Sequence, residues 1–185
     1  MRDLGDERVS RNFAGSLLVA HPNMVDPNFR RTVLFVSEHE PTEGALGVII
    51  NRPLDRPVAE LVSEPPPAGL ADIPVFLGGP VGKNQLMFAA FEWQKGAGLK
   101  LNQNIAFDEA SHAQGHKNLL TVCAFVGYAG WGPGQLEAEL HASAWLMSDV
   151  DRDLLFNTPA ERMWEETIRR LGADPASLQM SRGVH

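Results

Sequence analysis

The sequence contains a single cysteine, Cys123, among its 185 residues, so no disulfide bond can form within the chain. Such sparse cysteine usage is typical of proteins that work in a reducing compartment. Cys123 stands inside an apolar run, where a free cysteine behaves as a small hydrophobic residue. We therefore expect a cytoplasmic protein, and we expect no nucleophilic role for this thiol.

Long hydrophobic runs are also absent from the sequence. No stretch approaches the roughly 18 apolar residues that a membrane-spanning helix needs. The first 13 residues carry charges of both signs and lack the apolar segment of a signal peptide. We therefore expect neither a membrane span nor a signal peptide.

Basic residues are too few for a protein that coats nucleic acid. The chain has 16 Lys and Arg residues against 23 Asp and Glu residues, a formal net charge of −7. A protein that neutralises many phosphates usually presents a basic face. The charge therefore argues against nucleic-acid binding, although Arg30, Arg31, Arg52 and Arg56 leave room for a small basic patch.

Complete catalytic motifs are missing as well. The sequence has no Gly-x-Ser-x-Gly elbow, no phosphate-binding Walker A loop and no Gly-x-Gly-x-x-Gly fingerprint with its downstream acid. His21, Asp26, His39 and Glu43 are acid/base or metal-ligating residues by type, but their spacing is not diagnostic. We predict no cofactor, metal or catalytic residue. An enzyme that uses His21, Asp26, His39 or Glu139 as acid/base groups is an alternative.

Short apolar runs dominate what is present. They predict strands at residues 16–20, 32–37, 45–50, 75–77, 86–91, 104–107, 119–126 and 144–147. Predicted helices are few, at 55–62, 108–114, after Pro133, and at about 159–171. The last would begin with Thr158 as N-cap and end at Gly172.

The hairpin-like spacing of the strands predicts an α+β protein with a mixed or mostly antiparallel sheet. We expect one domain over residues 14–172. A polar lead-in at 1–13 precedes it, and a tail at 173–185 follows it.

The most unusual stretch is residues 127–140, where a predicted strand runs through several glycines into a helix. It carries Tyr128, Trp131, Gln135 and Glu139. Three other stretches at strand ends are also rich in glycine, proline and polar residues, namely 21–26, 39–43 together with 51–53, and 78–82. Either the four stretches converge on one pocket, or each contains only the residues that a turn requires.

Several of these stretches, taken together, resemble the YqgE/AlgH family of bacterial proteins. They are Gly-Ser-Leu-Leu-Val-Ala-His-Pro-Asn-Met at 15–24 with Asp26 and Phe29, Ser-Glu-His at 37–39 followed by Gly-Ala-Leu-Gly-Val-Ile-Ile-Asn-Arg-Pro at 44–53, and Gly-Gly-Pro-Val at 78–81. The last is Gly-Tyr-Ala-Gly-Trp at 127–131 with Gly-Gln-Leu-Glu at 134–137, Glu139 and Trp145. The resemblance runs from about residue 12 to residue 172. It implies a compact single domain with a bifurcated, coiled β-sheet and a few helices, but it implies no reaction.

The family motifs also suggest binding residues. They are Pro22, Asp26, His39, Asn51, Arg52, Gly78, Gly79, Pro80, Tyr128, Gly130, Trp131, Gln135 and Glu139.

Our leading hypothesis is a non-enzymatic module that binds an unidentified small ligand or protein partner, with an indirect role in regulating gene expression. One alternative is a hydrolase-like or metal-assisted enzyme. The other is a direct DNA-binding transcriptional regulator, which the family's description suggests and the acidic charge opposes. The sequence predicts no oligomeric state.

Overall fold

The computed structural model describes residues 11–66, 69–94, 96, 98–103 and 120–172. The strands in these ranges are β1 (Leu17–Ala20), β2 (Val33–Glu40), β3 (Gly44–Ile49), β4 (Pro53–Leu54), β5 (Val75–Leu77), β6 (Val81–Gln94), β7 (Gly98–Gln103), β8 (Leu120–Trp131) and β9 (Trp145–Ser148). The helices are α1 (Gln135–His141), α2 (Arg152–Asn157) and α3 (Ala160–Arg170). None of these helices combines the length and the apolar composition that a membrane crossing requires.

The strands form one mixed sheet that branches at β8. Its main path runs β4-β5-β8-β3-β2-β1-β9, and β6 pairs with both β8 and β7. The β5–β8 pair is parallel, and the other recorded pairs are antiparallel. This confirms the predicted α+β class with its mainly antiparallel sheet, and the branching agrees with the bifurcated sheet that the resemblance implied.

The strands of the main path are apolar on both faces because each face is covered. In β1, Leu17 and Val19 join one hydrophobic cluster with α3, while Leu18 and Ala20 join a second cluster with Trp131 and α1. A strand buried on both faces reads as a continuous apolar run rather than as an alternating pattern. This explains why the apolar runs located β1, β2, β3 and β8.

Strand β8 contributes to every part of the core. Cys123 and Phe125 pack on the α3 side, and Val122 and Ala124 pack on the opposite side against β5 and β6. Beyond the branch point the strand pairs with β3 and places Trp131 in the second cluster. One continuous strand therefore links three hydrophobic clusters.

The strand changes partners at Gly127, whose φ of +74° is in the left-handed region. The backbone of the Gly78–Gly79 segment lies directly against it, and a Cβ on Gly127 would lie 2.9 Å from the Val81 carbonyl oxygen and closer still to that of Gly79. Gly78 donates to the Val126 carbonyl and accepts from the Ile49 N–H, both at 2.8 Å. The glycines at 78, 79 and 127 therefore allow backbone to pack on backbone where the sheet branches.

Some predicted elements differ from the structure. Residues 92–94 and 98–100, for which no strand was predicted, belong to β6 and β7, and the predicted helix at 55–62 is only a short 3-10 turn at Val58–Glu60. Helix α2 was not predicted because its six residues are too few to show a helical period. The predicted strand at 104–107 and helix at 108–114 lie outside the described residues.

The predicted capping of the last helix by Thr158 is wrong. Pro159 has an extended ψ of 142°, so α3 begins at Ala160 and receives no side-chain cap at its N-terminus. Thr158 instead ends α2, which is capped by Asp151 accepting a hydrogen bond of 2.8 Å from the Leu154 N–H. Gly172 follows α3 with a φ of +79°, in agreement with the predicted helix end.

The packing at the branch point gives a testable prediction. Gly127→Ala forces a side chain into the left-handed region and against the Gly79 backbone, so we expect it to lower the free energy of unfolding by about 3 kcal/mol or more. Gly134 is a matched control, because its φ is +72° but nothing lies within 4 Å of an added Cβ. Gly134→Ala should cost only about 1–2 kcal/mol. Equal losses for the two variants in urea unfolding would contradict the role assigned to the close packing.

Candidate functional site

An open cleft of about 660 Å³ lies between the loop after β1, the end of β8, helix α1 and the start of β9. Its walls carry both polar and apolar side chains. The lining residues are His21, Asn23, Met24, Val25, Asp26, Phe29, Gly130, Trp131, Gln135, Glu139, Ala142, Ser143, Ala144 and Trp145. Among the candidate residues, the cleft therefore brings together Asp26, Gly130, Trp131, Gln135 and Glu139.

The Glu139 carboxylate organises one wall of this cleft. Its Oε2 accepts hydrogen bonds from the indole N–H groups of Trp131 and Trp145, each at 2.9 Å. Its Oε1 accepts from the Gln135 amide at 3.0 Å, and the Gln135 carbonyl in turn accepts from the Gly132 N–H at 3.0 Å. A single carboxylate on α1 thus ties together the end of β8 and the start of β9.

The two indoles are held firmly by this arrangement. Trp131 and Trp145 are 6% and 3% exposed, and their rings meet edge to face with centroids 6.2 Å apart. Phe29 packs on Trp145 in the same manner at 5.5 Å. Buried indole N–H groups need partners, and here both partners are one carboxylate.

The opposite wall is the loop at residues 21–29. Asp26 Oδ1 accepts from the Asn28 N–H at 2.8 Å, and the Asp26 carbonyl accepts from the N–H groups of Phe29 and Arg30. His21 Nδ1 accepts a hydrogen bond from the Asn23 N–H at 3.1 Å. The loop is therefore an ordered turn that supports the side chains of His21 and Asp26 in the lining of the cleft.

Asn51 and Arg52 stabilise this loop from outside the cleft. The Arg52 guanidinium donates to the carbonyl oxygens of Pro27, Asn28 and Arg30. Burial lowers the pKa of Arg52, the neighbouring Arg30 lowers it further, and Asp26 opposes the shift. The Asn51 side chain bridges two backbone groups, accepting from the Val33 N–H and donating to the Arg31 carbonyl oxygen.

His39 lies in a different hollow, beside Glu38, Glu40 and Glu43. Its Nδ1 accepts from the Phe13 N–H at 3.2 Å, so its proton is on Nε2, which donates to Glu137 Oε1 at 2.6 Å. The side chain is only 1% exposed. These contacts join the start of the domain to β2 and α1.

The remaining candidates lie at the branch of the sheet or in turns. Gly78 and Gly79 pack on β8, with Pro80 following them, and Tyr128 is exposed beside Val81. Pro22 belongs to the loop after β1 but does not line the cleft. Only the stretches at 21–26 and 128–135 share this cleft, so the four stretches do not converge on one pocket.

Sequence reasoning missed several cleft residues. Asn23, Met24, Phe29 and Trp145 line the cleft but were not predicted as binding residues. All four stand at positions that carried the family resemblance, which was the available signal. The bond between Trp145 and Glu139 depends on the fold, so the sequence held no sign of it.

The possible acid/base groups are not paired in this arrangement. In the described part of the chain, no hydrogen bond or ion pair joins any two of His21, Asp26, His39 and Glu139. Nor do the described residues contain a group of three or more His, Cys, Asp or Glu side chains arranged to hold a metal ion. Cys123 is buried, and burial raises the pKa of its thiol to about 12, so the thiol stays protonated near neutral pH.

The Glu139 bridge can be tested by substitution. Glu139→Ala leaves two nearly buried indole N–H groups without partners, which should lower the free energy of unfolding by about 2–4 kcal/mol. Glu139→Gln keeps an acceptor oxygen, so we expect a clearly smaller loss. Urea unfolding followed by circular dichroism measures both, and equal stability of the alanine variant and the parent protein would show that the bridge contributes nothing.

Comparisons with known proteins match this chain to one family over most of its length. The sequence model of the AlgH-like family matches residues 17–176. A UPF0301 protein of Thioalkalivibrio sulfidiphilus is 37% identical over 177 residues, covering 89% of this chain and 92% of the relative. A UPF0301 protein of Azoarcus is 38% identical over 184 residues, covering 91% and 94%.

Solved structures show the same fold. The solution structure of the AlgH protein from Pseudomonas aeruginosa superimposes with a TM-score of 0.66 at 30% identity, covering 95% of this chain and 97% of that one. A crystal structure of the protein DIP2367 from Corynebacterium diphtheriae gives a TM-score of 0.65 at 22% identity, covering 86% and 87%, which is a likeness of fold alone. On the family match and these relatives together, the chain belongs to the AlgH-like family.

Proposed function

We propose that the protein is a non-enzymatic binding module whose cleft takes up a small polar ligand. The observation that carries this proposal is the cleft itself, with a volume of about 660 Å³ and a lining of polar and aromatic side chains. Sites for small molecules commonly have volumes of about 300–1,000 Å³ and a few oriented polar groups among apolar ones. The cleft has both properties.

The walls of the cleft are preorganised. Glu139 is held by three donors, and the loop at 21–29 is held by its own turn and by Arg52. Ligand binding costs less when the receiving groups are already ordered. The exposed Gln135 side chain lies at the N-terminus of α1, where it can meet a ligand without disturbing the core.

Binding agrees better with this geometry than catalysis does. A general base must lie within hydrogen-bond reach of the proton that it removes and is commonly oriented by a further group. In the described structure, the hydrogen-bonded His–carboxylate pair is that of His39 with Glu137, outside the cleft. In the described cleft lining, the side chains of His21, Asp26 and Glu139 form hydrogen bonds with other groups and not with one another.

We propose that any effect on gene expression is indirect and passes through the bound ligand or a protein partner. The net charge of −7 opposes direct DNA binding. Helix α3, which carries Glu161, Glu165 and Glu166, uses its apolar face to cover the core. It is therefore poorly suited to enter a DNA groove.

A thermal-shift screen with nucleotides, sugars, amines, anions and divalent metals tests the proposal. A ligand at 100 times its dissociation constant stabilises the native state by about 2.7 kcal/mol, which corresponds to a Tm increase of roughly 5–10 °C for a domain of this size. Gln135→Ala should remove the shift, because it deletes a side chain of the cleft.

The matched control is Gln85→Ala, which removes an exposed amide on β6 outside the cleft and should keep the shift. A Tm shift that survives Gln135→Ala unchanged would place the site elsewhere and contradict the proposal. The absence of a shift with every class of compound would also contradict it, and would favour a protein partner.

A further inference from the structure

A second cavity, which we call the core cavity, lies between the sheet and the helices α2 and α3. Its volume is about 70 Å³, several times the roughly 10–15 Å³ that one water molecule requires. Phe76, Phe91 and Phe125 line it from strands β5, β6 and β8. The core cavity shares no lining residue with the cleft, so the two are separate.

The sheet side of the core cavity is a wall of three aromatic rings. The Phe91 and Phe125 rings meet edge to face with centroids 6.1 Å apart, and Phe76 lies against Phe125 at 5.8 Å. Phe76 is the register partner of Phe125, and Cys123 lies on the same face of β8 because side chains alternate along a strand. The register of the strands therefore sets the shape of this wall.

Water is poorly accommodated in this cavity. Its described lining has no charged side chain, and the hydrogen-bonding groups in that lining are the Thr121 hydroxyl and the Cys123 thiol. Burial raises the pKa of the thiol to about 12, so the thiol is neutral near neutral pH. A buried water molecule needs about two to four polar partners. A preformed space that offers so few of them favours an apolar ligand.

The core cavity reaches the protein surface beside Phe156 of α2, which lines the cavity and is 37% exposed. Thr121 is also only partly buried, and its hydroxyl forms no hydrogen bond within the part of the chain that the structure describes. Cys123 and Met163 are 6% and 4% exposed, so they lie at the buried end. The space therefore has a free hydroxyl near its opening and an apolar closed end.

The size of the cavity favours a chain over a ring. An engineered apolar cavity of about 150 Å³ holds one benzene molecule, and the core cavity has about half that volume. A flat ring is therefore too large for it. A narrow hydrocarbon chain can enter at the open end and leave a polar group outside.

On this basis we infer that the core cavity is a second ligand site, which binds the unbranched alkyl chain of a small amphiphilic molecule. The chain passes Phe156 and ends beside Cys123 and Met163. Its polar head stays at the opening, near the Thr121 hydroxyl. The same chain is present in a free alcohol and in a free carboxylate.

A titration with hexanol and with its branched isomer dimethylbutanol tests the inference, since the two share their atoms and head group and differ in the width of the chain. NMR signals of isotope-labelled methionine methyl groups locate the binding, because Met163 lines the core cavity and Met24 lines the cleft. We expect hexanol to shift the Met163 signal saturably and to leave that of Met24 in place. The isomer should bind at least about fivefold more weakly, the lower end of the cost of forcing extra volume into a packed interior.

Two substitutions at one position provide a matched control. Cys123→Leu fills the buried end of the cavity and should weaken hexanol at least about tenfold, because chain and side chain then compete for one space. Cys123→Ala leaves that space open and should keep the affinity within about threefold. If Cys123→Leu does not fold, Thr121→Ile takes its place, because it narrows the cavity near the opening.

Chain length and head group complete the experiment. From butanol to hexanol, each added methylene should tighten binding about fourfold, the scale of burying one CH₂ group. Hexanoate in the same titration assigns the source of the chain: tighter binding than hexanol indicates a carboxylate, and weaker binding indicates an alcohol.

The inference is overturned if neither hexanol nor hexanoate binds saturably, or if the two isomers bind equally well. It is also overturned if the Met24 signal moves without that of Met163, or if the filled variants bind hexanol as the parent protein does. These outcomes leave the proposed function of the cleft untouched, since its test depends on Gln135 and the two sites share no lining residue.

Discussion

The structure depends on the passage of strand β8 from one branch of the sheet to the other at Gly127. There the backbone turns into the left-handed region and packs directly on the Gly78–Gly79 segment, which leaves no space for a side chain. Up to Val126 the strand pairs with β5 and β6, Tyr128 still pairs with Val81 of β6, and from Ala129 to Trp131 the strand pairs with β3. The three hydrophobic clusters meet along this one strand, so their relative positions follow from the geometry of its bend.

The candidate site is a consequence of the same strand. The register of β8 with β3 sets Trp131 opposite Ala45, at the end of the sheet where α1 begins. Glu139 then reaches back from α1 to Trp131 and across to Trp145 on β9. Because β9 also pairs with β1, the loop after β1 faces the same carboxylate. The cleft is therefore built where helix α1 connects the end of β8 to β9, the last strand of the sheet's main path.

Much of the fold was accessible from the sequence because two-sided burial leaves continuous apolar runs at β1, β2, β3 and β8. Part of the site was also accessible, since Asp26, Trp131, Gln135 and Glu139 all stand in stretches that resemble the family. Their arrangement was not accessible. The separation of His39 from the cleft, and the hydrogen bonds from Arg52 to backbone carbonyls, depend on contacts between residues 22 to 98 positions apart. Such contacts leave no local pattern.

The most direct test of the cleft as the binding site uses the indole N–H resonances of the four tryptophans. With a saturating concentration of a compound that raises the Tm in the thermal-shift screen, the Trp131 and Trp145 signals should move, because both groups donate to the carboxylate that lines the site. The Trp164 signal should stay in place, because its N–H donates to the Ala20 carbonyl beside α3, and so should that of Trp93, on β6 outside the cleft. Movement of Trp164 or Trp93 with unchanged Trp131 and Trp145 would contradict the account.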